Sequence, residues 1–215
     1  MAEFLLDTQA PSATPAAGTS LLFPHSSNKL WAQKDDAGKV VTLAGIRNAN
    51  TANVVASAAD TYLTGSALAI PSHLLQIGTV FQWRFAMSKT AAGTATPTWI
   101  VRVGTAGTTA DTARLTFTGP AQTAAVDAGY VTIDAVVHSI GATGVIAGSL
   151  VLVHNTPGTD LAAAAGLANT STPTIQVTSA GFDMTVANLI VGVSVNPGAS
   201  GVWTHQLVLA QMEGI

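Results

Sequence analysis

The chain has 215 residues, of which 48% are hydrophobic and only 9% charged, with a formal net charge of −3; an ordinary soluble domain carries about 25% charged residues, so this chain either has large buried faces or sits in an assembly that covers part of its surface. Cysteine is absent, which excludes a disulfide scaffold, thiolate metal sites and a cysteine nucleophile. The eight Lys and Arg are scattered rather than clustered, which argues against a nucleic-acid-binding face.

The first residues, MAEFLLDTQAPSATP, carry acids but no basic n-region and no long apolar core, unlike a secretory signal. No apolar run reaches the roughly 18 residues of a membrane-crossing helix, so no membrane insertion is expected. Residues 1–20 are rich in Ala, Thr and Pro and read as a flexible arm. Phe4, Leu5 and Leu6 form an apolar knot in it, either a frayed terminus or a peg that docks on a neighbouring subunit. Residues 21–23, 30–32 and 40–43 are strand-like, separated by turn signals at 26–28 and 35–38. Two such hairpins are not stable alone and need a surface to pack on. Residues 44–59, rich in Ala and Asn, read as a short helix or a linker. The expected organisation is an anchoring arm with hairpins (1–50), a linker (51–59) and a β-domain (60–215).

From Thr61 onward, strands are predicted at 61–70, 80–87, 98–103, 113–118, 130–140, 145–154, 174–179, 189–196 and 203–211. Gly119-Pro120, residues 141–144, Pro157-Gly158 and Pro197-Gly198 supply breaks. The fold class this predicts is all-β: a jelly-roll-like β-sandwich. Phe81, Trp83, Phe85 and Met87 alternate with Gln82, Arg84 and Ala86, the period of a half-buried strand. Trp99, Val101 and Val103 repeat the pattern, as do Ala113, Leu115 and Phe117, so the densest core is expected there. Residues 160–167 (DLAAAAGL) carry the one good helix signal, with Asp160 as N-cap. In 189–196, Leu189, Val191, Val193 and Val195 share a face. Asn188, Ile190, Gly192 and Ser194 share the other, small enough for another surface to approach closely, or simply the back of a central strand.

Catalytic chemistry finds little foothold. The histidines are His25, His73, His138, His154 and His205, with no H-x-x-x-H spacing. His138, His154 and His205 fall on predicted strands, so a cupin-like metalloenzyme remains as an alternative of another class. There is no G-x-S-x-G elbow. Asp111, Asp127, Asp134 and Asp183 read as turn or strand-end residues rather than a glycosidase pair. The GTAGT of residues 104–108 lacks the G-K-[ST] ending of a phosphate loop. No catalytic residue, cofactor or metal is expected.

Lys29, Leu30, Trp31, Lys34, Asp36, Gly38 and Leu43, within TPAAGTSLLFPHSSNKLWAQKDDAGKVVTL, form a pattern that resembles a segment near the start of many phage tail and minor structural proteins; Ala37 interrupts the usual Asp-Gly pair. The Thr/Gly/Ala-rich, cysteine-free β-domain with its GTAGT loop is similar to the jelly-roll domains of phage decoration proteins, head fibres and receptor-binding tips. The resemblance to tailed-bacteriophage virion structural proteins implies a homotrimer on the particle surface, made in the host cytoplasm. It implies an N-terminal arm that attaches to the major capsid or tail protein, and no enzymatic activity. Phe4, Leu5, Phe23 and Trp31 are then the anchor contacts. Loops 89–96, 104–109 and 197–201 are the exposed tip, represented by Thr94, Thr105, Thr108, Ser200 and Trp203. Compactness and low charge favour capsid decoration; the tail-like N-terminal pattern favours a tail fibre or tip that contacts a host surface receptor.

Overall fold

A computed structural model describes residues 14, 16–17, 21–24, 31–34, 40–42, 46–70, 74–90, 94–119, 124–154, 174–199 and 201–213. The chain divides into two compact units, Met1–Ile46 and Arg47–Ile215. The first holds an antiparallel three-stranded sheet of β1 (Leu21–Pro24), β2 (Trp31–Lys34) and β3 (Val40–Thr42), so the two expected hairpins share their middle strand.

The second unit is a β-sandwich. One sheet has the order β10 (Thr112–Thr118), β9 (Thr98–Gly104), β14 (Leu189–Asn196), β6 (Thr61–Tyr62), with β7 (Leu68–Ile70) also pairing β14. The other has the order β13 (Thr174–Thr178), β12 (Val145–His154), β11 (Asp127–Ser139), β8 (Val80–Lys89), β15 (Val202–Glu213), β4 (Ile46–Asn50), with β5 (Val54–Ser57) also pairing β15. The neighbouring strands with assigned registers all run antiparallel, and no helix occurs among the described residues. The chain passes between the sheets at β5–β6, β7–β8, β8–β9, β10–β11, β13–β14 and β14–β15.

Alternation builds the core. Phe81, Trp83, Phe85 and Met87 of β8 point inward, as do Trp99, Val101 and Val103 of β9, Leu115 and Phe117 of β10, and Leu189, Val191, Val193 and Val195 of β14. Burying a large apolar side chain contributes about 1.5–3 kcal/mol, and these strands place most of theirs between the sheets. The Trp83 indole N–H donates to the Ser66 carbonyl (2.8 Å), so its one polar group is satisfied as it is buried.

Three expectations need correction. The linker at 51–59 instead carries β5, whose register runs Val54–Ser57 against His205–Val202, and β4 reaches into the arm's expected range. The single strand at 61–70 is two, because the chain turns at Gly65 (φ +89°), a conformation glycine adopts without strain. Ala113 is exposed rather than core, because a register shift between Ala113 and Leu115 breaks the alternation. Arg114, in that bulge, lies over the Phe182 ring at 4.4 Å. The helix expected at 160–167 lies outside the described residues.

Candidate interaction surfaces

The GTAGTTAD connection between β9 and β10 is held from within. The Asp111 carboxylate is almost fully buried and accepts from the backbone amides of Gly107 (2.7 Å), Ala106 (3.0 Å) and Thr108 (3.3 Å). Successive amides that converge in this way make an anion-binding nest. Here the anion is the chain's own carboxylate, which removes the loop as a phosphate site and makes Asp111 the turn residue its position suggested. Thr105 and Thr108 are left facing solvent.

Arg102 fixes the same region from the middle of its sheet. Its guanidinium donates to the Ser194 hydroxyl (2.7 Å) and to the Asp111 carbonyl (2.6 Å), and pairs with Asp60. This planar fork meets three acceptors on separate segments, which a lysine cannot do. Ser194 lies beneath it and is fully buried. Two residues earlier on β14, Gly192 lies under the Tyr62 phenol, so closely that a β-carbon there would overlap it. The small outward residues of β14 are therefore covered by the chain's own Tyr62 and Arg102, and the close approach read from the sequence is intramolecular.

His205 points into the sandwich with no exposed surface. It stacks on Trp203 (6.4 Å between centroids) and meets the Phe85 edge (5.6 Å). Neither ring nitrogen has a hydrogen-bond partner among the described residues. Burial pushes the imidazole down to about 4, the Val54 backbone opposing. A neutral ring in an aromatic cluster is a packing element. His138 is exposed, His25 and His73 lie outside the described residues, and the side chain of His154 is likewise outside them. Among the described residues no three of His, Cys, Asp and Glu assemble as a metal site. Asp183 accepts from the Thr185 hydroxyl (2.6 Å) and amide (2.8 Å), which holds its carboxyl below the usual range. The apolar void near Phe182 and Met184 amounts to about 10 Å³, at the lower limit for one water molecule.

The tip candidates divide. Thr94, Thr105 and Thr108 are exposed, and Ser200 lies outside the described residues. Trp203 is a correction: it is 1% exposed and packs edge-on against Trp99 at 5.7 Å. Its strand starts at Val202, directly after the loop, so alternation turns Trp203 inward. Of the anchor candidates, Phe4 and Leu5 lie outside the described residues. Phe23 is on β1 opposite Ala32, and Trp31 is on β2 opposite Pro24; the side chains of both are outside them.

The outer face of the seven-stranded sheet is open to solvent. Tyr130, Val136, Val153 and Leu209 are exposed on it. Across its middle runs a bonded polar row: Gln211 donates to the Gln82 carbonyl oxygen (2.9 Å), and Gln82 donates to Asp134 (2.6 Å). Beside Asp134 lies an open depression of about 410 Å³, bordered by Val136, Ala147, Ser149, Gln176 and Thr178. Alternation along β8 places Gln82 on a polar strand face and says nothing of Asp134 or Gln211. Only the sheet order brings residues 82, 134 and 211 side by side. No family model matches the chain, and no curated protein matches it.

Proposed function

We propose that this chain is a non-enzymatic structural protein of a tailed-bacteriophage particle surface, present there in multiple copies. Capsid decoration is the reading favoured, with the first unit as the part that attaches to the major capsid protein. The observation that carries the non-enzymatic part is the use made of the polar groups. Asp111 fills its own loop, Arg102 ties three segments of the sandwich, and His205 is packed among aromatic rings. These side chains are consumed in holding the fold. The particle assignment rests on the resemblance of residues 14–43 and of the Thr/Gly/Ala-rich sandwich to phage virion proteins.

A tail-tip role is the second reading, supported by the solvent-facing Thr94, Thr105 and Thr108 on connections between strands. Gold-antibody labelling of intact particles, viewed by electron microscopy, separates the two. Label over the head is expected for decoration. Label confined to the tail would move the function to host adsorption and make a surface receptor the partner. Particles without label would overturn both.

A further inference from the structure

We propose that His205 and β5 form an acid-released latch, in which protonation of the buried imidazole frees β5 from β15 while the rest of the sandwich stays folded. This does not depend on the virion assignment. Residues 203–205 of β15 pair with β5 on one side and with β8 on the other, so Val54 and Met87 flank His205 in register. The ring has no exposed surface, and neither nitrogen has a hydrogen-bond partner among the described residues. A neutral imidazole placed in this way leaves one N–H donor unsatisfied. An imidazolium would leave two, together with a charge. The one polar group that bears on the ring is the Val54 backbone, which belongs to β5 itself.

No anion is placed to hold that cation in the closed state. Among the described residues, the inward faces of β5, β7, β8, β9, β14 and β15 carry a single charged side chain, Lys89 of β8. It has the same sign as the imidazolium, and its ammonium donates to the Ala125 carbonyl (2.6 Å). Asp60 is paired with Arg102. Arg102 points to the outer side of the facing sheet, as does Tyr62, which covers Gly192. Arg47 of β4, Arg84 of β8 and Glu213 of β15 are exposed. A protonated ring is therefore relieved by water, and has to be brought to it.

The weaker of the two flanking strands decides where water enters. β8 lies between β11 and β15 and buries every second side chain from Phe81 to Lys89. β5 has four residues and one assigned partner, β15; Ala56 is its only buried residue, and Val55 is 55% exposed. At its ends the Gln206 amide donates to the Asn53 carbonyl oxygen (2.9 Å) and the Ala58 amide to the Gly201 carbonyl (3.1 Å). A short outer strand with so little burial opens locally before a domain unfolds. Once β5 is away, the ring takes a proton at the ordinary value of about 6.5, against about 4 when closed, so acid favours the open form. Relative to pH 7, that difference raises the open population about 20-fold at pH 5 and about 100-fold at pH 4. Release of β5 leaves β4, which has no buried residue, to hold the chain where it enters the second unit.

The test is amide hydrogen exchange of the full chain at pH 7, 5 and 4, followed residue by residue by NMR, with each rate divided by the intrinsic rate at that pH. The amides of β5 that face β15, and that of Ala58, are expected to be less protected than those of β8 and β11 at every pH. Their protection is expected to fall about 20-fold from pH 7 to 5 and about 100-fold to pH 4. His205→Phe keeps a ring in place and is expected to remove most of that fall. Protection of β5 equal to that of β8 and β11 overturns the proposal, because His205 would then act on global unfolding alone. So does lower protection that is indifferent to pH, or that falls equally in His205→Phe. A second readout uses the lack of native cysteine. Ala56→Cys on β5 and Ala135→Cys on β11 each place a thiol at a fully buried position. With 4,4′-dithiodipyridine, and rates divided by that of a free thiol, Ala56→Cys is expected to react about 20-fold faster at pH 5 than at pH 7. Ala135→Cys is expected to stay slower at both. Equal rates at the two positions, or no acceleration of Ala56→Cys in acid, overturn the latch even where His205→Phe fails to fold.

Discussion

The phenol of Tyr62 lies directly over the α-carbon of Gly192, with no room for a β-carbon between them. Glycine at 192 is therefore a packing requirement set from 130 residues away, on the outside of a central strand. Gly192→Ala would force Tyr62 or the β6 backbone outward. It is expected to destabilise the sandwich by about 1–3 kcal/mol, measured as a lower urea midpoint. Because the clash is with the ring, Tyr62→Ser combined with Gly192→Ala should cost less than the sum of the two single changes. Additive costs would mean that the two residues are not coupled.

The same burial makes Tyr62 a marker of the alkaline limit. Desolvation raises its phenol to about 12, with the Asp111 charge adding and Ser66 and Arg102 opposing. The folded value lies above the unfolded one of about 10. The stabilisation is thus complete below pH 10 and is lost as pH rises from 10 towards 12. Thermal melts between pH 9 and 12 should show a steeper decline for the unaltered chain than for Tyr62→Phe. Parallel declines would assign the loss to other groups.

His205 sets an acid limit by the opposite sign. Its folded value of about 4 lies below the unfolded 6.5, because burial penalises the cation. Its contribution is present above pH 6.5 and disappears as pH falls towards 4, amounting to about 3 kcal/mol. His205→Phe keeps the ring between Trp203 and Phe85 and removes the titration. Its melting temperature is expected to fall less between pH 6.5 and 4 than that of the unaltered chain. An unchanged slope would show that His205 does not titrate in that interval.

Removing the Asp111 carboxylate should loosen one loop before it unfolds the domain. Asp111→Ala leaves the amides of Ala106, Gly107 and Thr108 without their acceptor, at a cost of about 2–3 kcal/mol. Hydrogen exchange should accelerate at those three amides first, while the amides of β8 and β11 stay protected. Uniform acceleration through the sandwich would instead make the loop a part of the global folding unit.

Arg102→Lys tests geometry at constant charge. An ammonium cannot reach Ser194, Asp60 and the Asp111 carbonyl in one plane. The expected loss is about 1–3 kcal/mol, read from denaturant unfolding. A variant as stable as the parent would show that charge alone suffices there.

The β8 core face was legible because strict alternation of large apolar residues survives wherever a strand runs without interruption. β15 was not legible in the same way. Trp203 and His205 point inward, but so do Val208, Ala210 and Met212, because a bulge between Gln206 and Leu209 reverses the parity. That bulge hinges on Leu207 with φ +54°, a conformation leucine rarely adopts and its local sequence does not announce. Trp203 accordingly read as loop-side when it is core. The outward small residues of β14 left two readings open for another reason: Tyr62 and Arg102, which fill them, arrive from distant segments. Hydrophobic period reports which way a strand faces, and not what covers its other side.

The placement of β15 has a consequence for how the protein is made. Val202–Glu213 sits inside its sheet, flanked by β8 on one side and by β4 and β5 on the other. Until that segment leaves the ribosome, β8 has an open edge and the Trp99 ring lacks Trp203 beside it. At about 5–20 residues per second, a nascent chain holds an unpaired apolar strand for several seconds. Ribosomes that stall before residue 202 therefore release a chain prone to strand-to-strand aggregation rather than a smaller folded domain.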